Sequence, residues 1–243
     1  SDTRTFDPAR QFEYSPPITV RAVYETLITL TPGDYVTLKP LLAESWKIVD
    51  GGKAWEFKLR KGVKFVSGNP LTAADVKFSF ERLQNLKDQP ADMAENLGPI
   101  EVVDPQTVRI AMADKTQPLL TLLTSVTYSV YDPKTVIAQG GTSGKDAEKA
   151  DKATAWLDTH SAGTGPYTLT GWTRNQEVVL ERNKGYWRTP AAFEKVVQRN
   201  RPRAGFLCVI EADVKPPSEE LRRASSNLLA THHDGEPLNP EHG

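Results

Sequence analysis

Residues 161–187, SAGTGPYTLTGWTRNQEVVLERNKGYW, constrain the fold more than any other stretch of the chain. The run Gly163-Thr164-Gly165-Pro166 forces a turn, because glycine accepts backbone angles that other residues avoid and proline fixes its own. Two segments of alternating hydrophobicity follow, YTLTGW and EVVLERN, and they predict a hairpin that bends near Asn175-Gln176. The chain must therefore pass from a helix ending near His160, through a rigid turn, into a sheet.

Elsewhere the hydrophobic period switches between helix and strand. Residues 5–17 are proline-rich and read as extended, and within ITVRAVYETLITL the residues Val20, Val23, Tyr24 and Leu27 recur on one helical face. In AWEFKLRKGVKF, Trp55, Phe57 and Leu59 alternate with Glu56, Lys58 and Arg60, which predicts a half-buried strand paired through the DGGK turn with ESWKIV. VSGNP, at 66–70, is a further turn. LTAADVKFSFERLQN opens a helix with Thr72 as N-cap, Asp75 completing a variant capping box, and Val76, Phe80 and Leu83 on one face. IEVVDPQTVRIAMAD predicts two strands around Asp104-Pro105, and QPLLTLLTSV a short buried helix capped near Thr116. Residues 139–153 read as an exposed loop, and the charges of KGVKF and ERLQNLKD as solvated. After Arg201 the pattern gives one strand, one short helix and a polar end, disordered over its last dozen residues. Helices and strands mixed without a repeat make the fold class α/β (mixed α+β) with two lobes.

Net charge is −1 from 30 basic and 31 acidic residues, so no electrostatic excess recommends nucleic acid or an anionic membrane as a partner. No run approaches the roughly 18 apolar residues of a membrane span. Cys208 is the sole cysteine, which excludes an intramolecular disulfide or thiolate zinc site, and it reads as a small buried hydrophobe. No GxSxG, P-loop, HExxH, CxxC or GxGxxG motif occurs. His160 stands alone, and His232, His233 and His242 fall in the polar end, where adjacent histidines on a tail make no preorganised metal shell. Glu177 and Glu181 share a strand face and read as its exposed side rather than as an acid–base pair. No enzymatic activity, metal or other cofactor is expected; turns and surface aromatics on a mixed scaffold suit a binding protein.

Three blocks in order, from VYETL to FERL (23–83), IEVVDPQTVRIAM (100–112) and GTGPY to GYW (163–187), resemble the family 5 extracellular solute-binding proteins, the peptide, dipeptide and nickel receptors of ABC importers. The resemblance covers roughly residues 5–200. It implies a type II periplasmic-binding-protein-like first lobe with an inserted family 5 domain, in a receptor that closes on its ligand by hinge motion. Residues 1–38 correspond to the opening part of the first lobe, 39–160 to the inserted α+β domain, and 161–200 to the return segment; 201–243 form an unrecognised, partly disordered tail. GTGPY then marks the crossover back into the first lobe. Trp46, Trp55, Phe57, Phe65 and Phe80 match core positions of the inserted domain.

In peptide receptors of this kind the ligand faces the segment just after a DP motif, which here carries Phe12, Glu13 and Tyr14. Its backbone could pair with an extended peptide as an added strand; in the competing reading Phe12 and Tyr14 pack under the lobe. Some peptide receptors carry an acidic residue where Phe12 stands, and Glu13 is adjacent. The chain departs from the family pattern in reading Val66-Ser67-Gly68 for HDG, in lacking the strand before Asp7-Pro8, and in a missing second lobe. It therefore reads as truncated and is expected to bind weakly or not at all by itself. The implied role is periplasmic or extracytoplasmic capture of a peptide or other small solute by a monomer, which delivers it to ABC permease subunits at the membrane. Peptide is favoured over nickel because no histidine lies in the cleft segment. The alternative is a non-transport sensor or protein-interaction module on the same fold.

Overall fold

The computed structural model describes residues 3–12, 16–31, 33–113, 118–201 and 205–209. The alternating strands and the capped helix of the sequence meet in one layer pair. Strands β3 (Ala43–Val49), β4 (Ala54–Leu59), β5 (Leu97–Asp104) and β6 (Thr107–Met112) form an antiparallel sheet in the order β3-β4-β6-β5, and the long helix α2 (Ala73–Leu86) packs on it. Phe57 and Leu59 of β4 and Val108 and Ile110 of β6 face Val76, Phe80 and Leu83 of α2 in one buried cluster, each residue contributing roughly 1.5–3 kcal/mol by leaving water. Phe65 is also buried there, while Trp46 and Trp55 only pack partly against the cluster. The capping carboxylate forms as expected: Asp75 accepts the Thr72 backbone N–H at 2.6 Å. On the opposite sheet face Lys47, Glu56, Arg109 and Glu101 pair in register across all four strands, with contacts of 3.0–3.1 Å on the exposed side.

A second antiparallel sheet runs β10-β9-β8-β7, built from β7 (Tyr167–Thr173), β8 (Glu177–Arg182), β9 (Lys195–Arg201) and β10 (Gly205–Val209). The 167–182 hairpin turns at Asn175, whose φ of 60° is the left-handed conformation such a bend requires. The strand expected after Arg201 is β10; β9, which pairs with β8, was not read from the sequence. Leu169, Val178 and Leu180 of this sheet pack with Phe6, and with Val20 and Val23 of helix α1 (Pro16–Val23), in a second buried cluster. The short helices are α3 (Ala91–Ala94), which precedes β5, and α4 (Leu119–Leu122), α5 (Pro133–Ala138), α6 (Ala147–Ala150) and α7 (Thr154–Leu157), which follow β6 in the chain. No described helix is long and apolar enough to cross a membrane.

The structure corrects the sequence reading at four places. The helix of ITVRAVYETLITL stops at Val23, and its last residues leave as strand β1 (Ile28–Thr31), paired with β2 (Asp34–Pro40). The stop is imposed from outside, because the Val23 carbonyl accepts the Gly165 N–H at 3.1 Å. Gly163 and Gly165 do not adopt the left-handed angles of turn glycines. They are required by crowding: a Cβ on Gly163 would lie 2.1 Å from the Val23 carbonyl oxygen, and one on Gly165 2.7 Å from that of Ala22. Residues 139–153 are no mere exposed loop, since α6 forms within them and Ala147, Asp151 and Ala153 are buried. Finally, ERLQNLKD is not uniformly solvated. Arg82 is 0% exposed, because two distant carboxylates claim it. The expected cap at Thr116, the short helix and disordered end after Val209, and the polar-end histidines lie outside the described residues, as does the side chain of Cys208.

Arg82 donates Nη1 and Nη2 to Asp7 at 2.9 and 2.7 Å, and Nε and Nη2 to Asp151 at 2.8 and 2.9 Å. Both pairs are bidentate, which the planar guanidinium fork permits and a lysine would not. The Tyr131 ring lies 5.5 Å from the guanidinium carbon, and Arg10 stands beside the carboxylates while binding Asp88 at 2.7 Å. Burial disfavours the charge on Asp151, yet hydrogen bonds and charge from Arg82 outweigh it and hold the carboxyl below the ordinary value of 3.8. The Asp151 contribution is thus fully present above that ordinary value and is lost as pH falls through the depressed one.

Removing one partner of such a cluster leaves buried carboxylates uncompensated. Arg82→Ala should cost roughly 3–5 kcal/mol in urea unfolding at pH 7, whereas Arg109→Ala, in the solvent-side charge row, should cost far less. Equal costs would refute the distinction.

Candidate functional site

The segment after Asp7-Pro8 is fixed at its base and free at its end. Asp7 is 0% exposed; besides Arg82 it accepts the Ala9 N–H at 3.1 Å and the Thr154 hydroxyl at 3.2 Å, while its carbonyl takes the N–H groups of Arg10 and Gln11. A tight turn results, pinned by Arg10 to Asp88 at the end of α2. Phe12 emerges from it 60% exposed, which opposes the reading that it packs under the lobe. Glu13 and Tyr14 lie outside the described residues.

A second feature was not read from the sequence. A concavity of about 310 Å³ opens where the end of α1, the β1–β2 hairpin and the chain after β8 converge; Arg21, Glu25, Leu30, Ser129, Tyr186 and Arg188 are among its lining residues. Its volume lies at the low end of the ~300–1,000 Å³ of small-molecule sites. Glu25 is only 6% exposed and accepts three hydrogen bonds, from Thr164 Oγ1 at 2.8 Å, Tyr186 Oη at 2.8 Å and Trp187 Nε1 at 2.7 Å. All three donors are neutral. Burial therefore prevails and raises the carboxyl above its usual value, against those hydrogen bonds and the positive charge of Arg188. Thr164 belongs to the GTGP run and the Tyr186-Trp187 pair ends the following segment, so one carboxylate ties the helix end to both landmarks of the 161–187 stretch. The sequence signal was present in YETL and GYW; their meeting across more than 160 residues was not.

Other candidates do not assemble into chemistry. Among the described residues no group of three or more His, Cys, Asp and Glu could hold a metal ion. His160 is exposed and stacks on Trp156 with centroids 4.7 Å apart. Glu177 pairs with Arg199 across β8 and β9 at 3.3 Å, and Glu181 is exposed on the same strand. Ser67, within the departure at 66–68, donates to Asp132 at 2.7 Å and ties that turn to the N-cap of α5.

Comparison with known proteins gives a consistent answer. Residues 37–204 match the model described as "Bacterial extracellular solute-binding proteins, family 5 Middle". The chain is 31% identical over 199 residues to the probable D,D-dipeptide-binding periplasmic protein DdpA of Escherichia coli K12, covering 81% of this chain and 37% of that protein. Its fold resembles the periplasmic binding protein DppA of Helicobacter pylori in complex with the peptide STSA, with a TM-score of 0.68 and 27% identity over 83% of this chain and 41% of that one. NikA of Brucella suis, in complex with Fe(III)-EDTA, matches with a TM-score of 0.63 and 28% identity over 83% of this chain and 38% of the other. The chain thus spans about two fifths of the length of these relatives, which are binding proteins rather than enzymes.

The buried carboxyl of Glu25 generates a pH prediction. A raised folded-state value means that its stabilising contribution is complete below the ordinary glutamate value of 4.5 and is lost as pH rises through the folded value. Glu25→Gln removes this titration, so stability relative to the parent should shift in the variant's favour between pH 4 and pH 7 in urea unfolding. A pH-independent difference would contradict the assignment.

Proposed function

Since the chain belongs to the bacterial extracellular solute-binding proteins of family 5, we propose that it forms part of the ligand-facing wall of an extracytoplasmic receptor, which captures a peptide-type solute and passes it to the permease subunits of an ABC importer. The observation that carries this reading is Phe12, an aromatic left 60% exposed by a segment whose base is clamped through Asp7. A rigid edge with an exposed aromatic suits an extended ligand: main-chain groups supply affinity without reading sequence, and the ring covers whatever side chain lies over it. The adjoining residues Glu13 and Tyr14 complete the proposed contact segment. Relatives described as binding a D,D-dipeptide and the peptide STSA support the peptide class.

In this reading residues 1–38 and 161–200 belong to the first lobe and 39–160 to the inserted domain. Val20 and Val23 of α1 share a buried cluster with Leu169, Val178 and Leu180 of β7 and β8, which supports joining 1–38 to 161–200, and the same cluster takes in Val126, Tyr131, Val136 and Leu157 from 39–160. In this reading the receptor works as a periplasmic or extracytoplasmic monomer that associates with the membrane through its transporter. A cleft buries most of a ligand between two walls, so this chain by itself should hold a peptide weakly.

Titration of the 243-residue chain with a mixed di- to pentapeptide pool, followed by NMR and native mass spectrometry, should give saturable binding with Kd about 1 mM or weaker. The shifts should centre on residues 10–12, and Phe12→Ser should abolish them. Saturable binding indifferent to Phe12→Ser, or shifts centred away from residues 10–12, would overturn the reading.

A further inference from the structure

The concavity at Glu25 carries a charge pattern that the exposed Phe12 segment does not explain. Two guanidinium groups, Arg21 from the last turn of α1 and Arg188 from the chain after β8, line the same small space. Neither forms an ion pair within 4 Å of any described carboxylate, whereas Arg10, Arg82, Arg109, Arg182 and Arg199 all do. A guanidinium has five N–H donors. Arg21 spends one on the Thr124 carbonyl at 3.2 Å, and Arg188 interacts with the Tyr186 hydroxyl and leans on the Trp187 ring at 5.6 Å.

The single acid of the concavity does not neutralise them. Glu25 already accepts from Thr164, Tyr186 and Trp187, and its burial favours the uncharged form. The rest of the wall is mixed: Leu30, Leu41, Val126 and Pro166 supply an aliphatic part, and Thr26, Thr29, Ser129 and Tyr186 add side-chain hydroxyls. Both arginines are exposed, so their remaining donors face the solvent that fills the concavity; beside a partly aliphatic wall they fit an anion carrying a short apolar body, and the planar fork of arginine matches a carboxylate in particular.

We propose that the Arg21–Arg188 concavity is a carboxylate site, which binds the anionic end of a small solute with a short aliphatic body. The inference rests on the solute-capture reading and narrows its substrate class. The carboxylate has two possible sources, the C-terminus of a short peptide or a free organic acid, and both present the same group to the arginines.

Calorimetry on the full chain, with matched acid and amide probes, separates these statements. Ala-Ala-Leu and N-acetyl-leucine should each bind about tenfold or more tightly than their C-terminal amides. Arg21→Gln and Arg188→Gln should each bring the acids down to the level of the amides, with unchanged thermal unfolding and without affecting amide binding. The Trp187 indole resonance should move with the acids only. Should N-acetyl-leucine bind in this way and Ala-Ala-Leu not, the carboxylate site stands and the peptide reading falls. Equal binding of acid and amide sinks the carboxylate site while leaving peptide capture intact. Acid binding that survives both arginine substitutions, or no binding of either acid, also refutes it, and inorganic phosphate binding as tightly as N-acetyl-leucine would overturn the carboxylate assignment.

Discussion

One guanidinium holds three stretches of chain that sequence keeps far apart. Arg82 sits in the middle of α2, Asp7 near the start of the described chain, and Asp151 after α6, and all three side chains are fully buried. Ion pairs of this kind are poor sources of net stability, because desolvation of three charges consumes much of what their attraction returns. Their value lies in geometry. Two bidentate pairs on one planar group admit a single arrangement, so the segment that leads to Phe12 can leave the body of the protein in only one direction.

A second carboxylate plays the matching role on the other side of α1. Glu25 collects donors from the GTGP run and from Tyr186-Trp187, while Gly163 and Gly165 let two backbones approach at distances no side chain would permit. Asp7 and Glu25 thus bracket the helix, one held by charge and the other by neutral hydrogen bonds. The difference matters chemically. The Arg82 cluster has cations against its carboxylates, whereas Arg21 and Arg188 near Glu25 form no ion pair with a described carboxylate, and the proposed carboxylate site rests on that imbalance.

What could be read from the sequence was local. Thr72 and Asp75 announced the start of α2, the alternation around Trp55 and Phe57 announced β4, and Asn175 announced a bend, because each signal lies within a few residues of its consequence. Readings failed where a distant partner decided. Nothing near Arg82 distinguishes it from a solvated arginine of ERLQNLKD; its two acids lie 75 and 69 residues away. The helix face through Tyr24 and Leu27 was real as a set of buried residues, yet Gly165 took the carbonyl that would have continued it. Phe12 enters as an expectation through the resemblance alone, whereas Arg21, Glu25 and Arg188 stand at three points of the chain that only folding brings to one concavity.

The central claim is that the Arg82 clamp fixes the Asp7 segment and the Asp151 segment together. Amide hydrogen exchange of the parent chain and of Arg82→Lys tests this directly, because lysine keeps the charge but loses the double fork. The account predicts that the Ala9 amide on one side, and those of Thr142 and Ala153 on the other, lose protection together in the variant, while the β7–β8 hairpin keeps its own. Loss confined to α2, or to only one of the two segments, would contradict it.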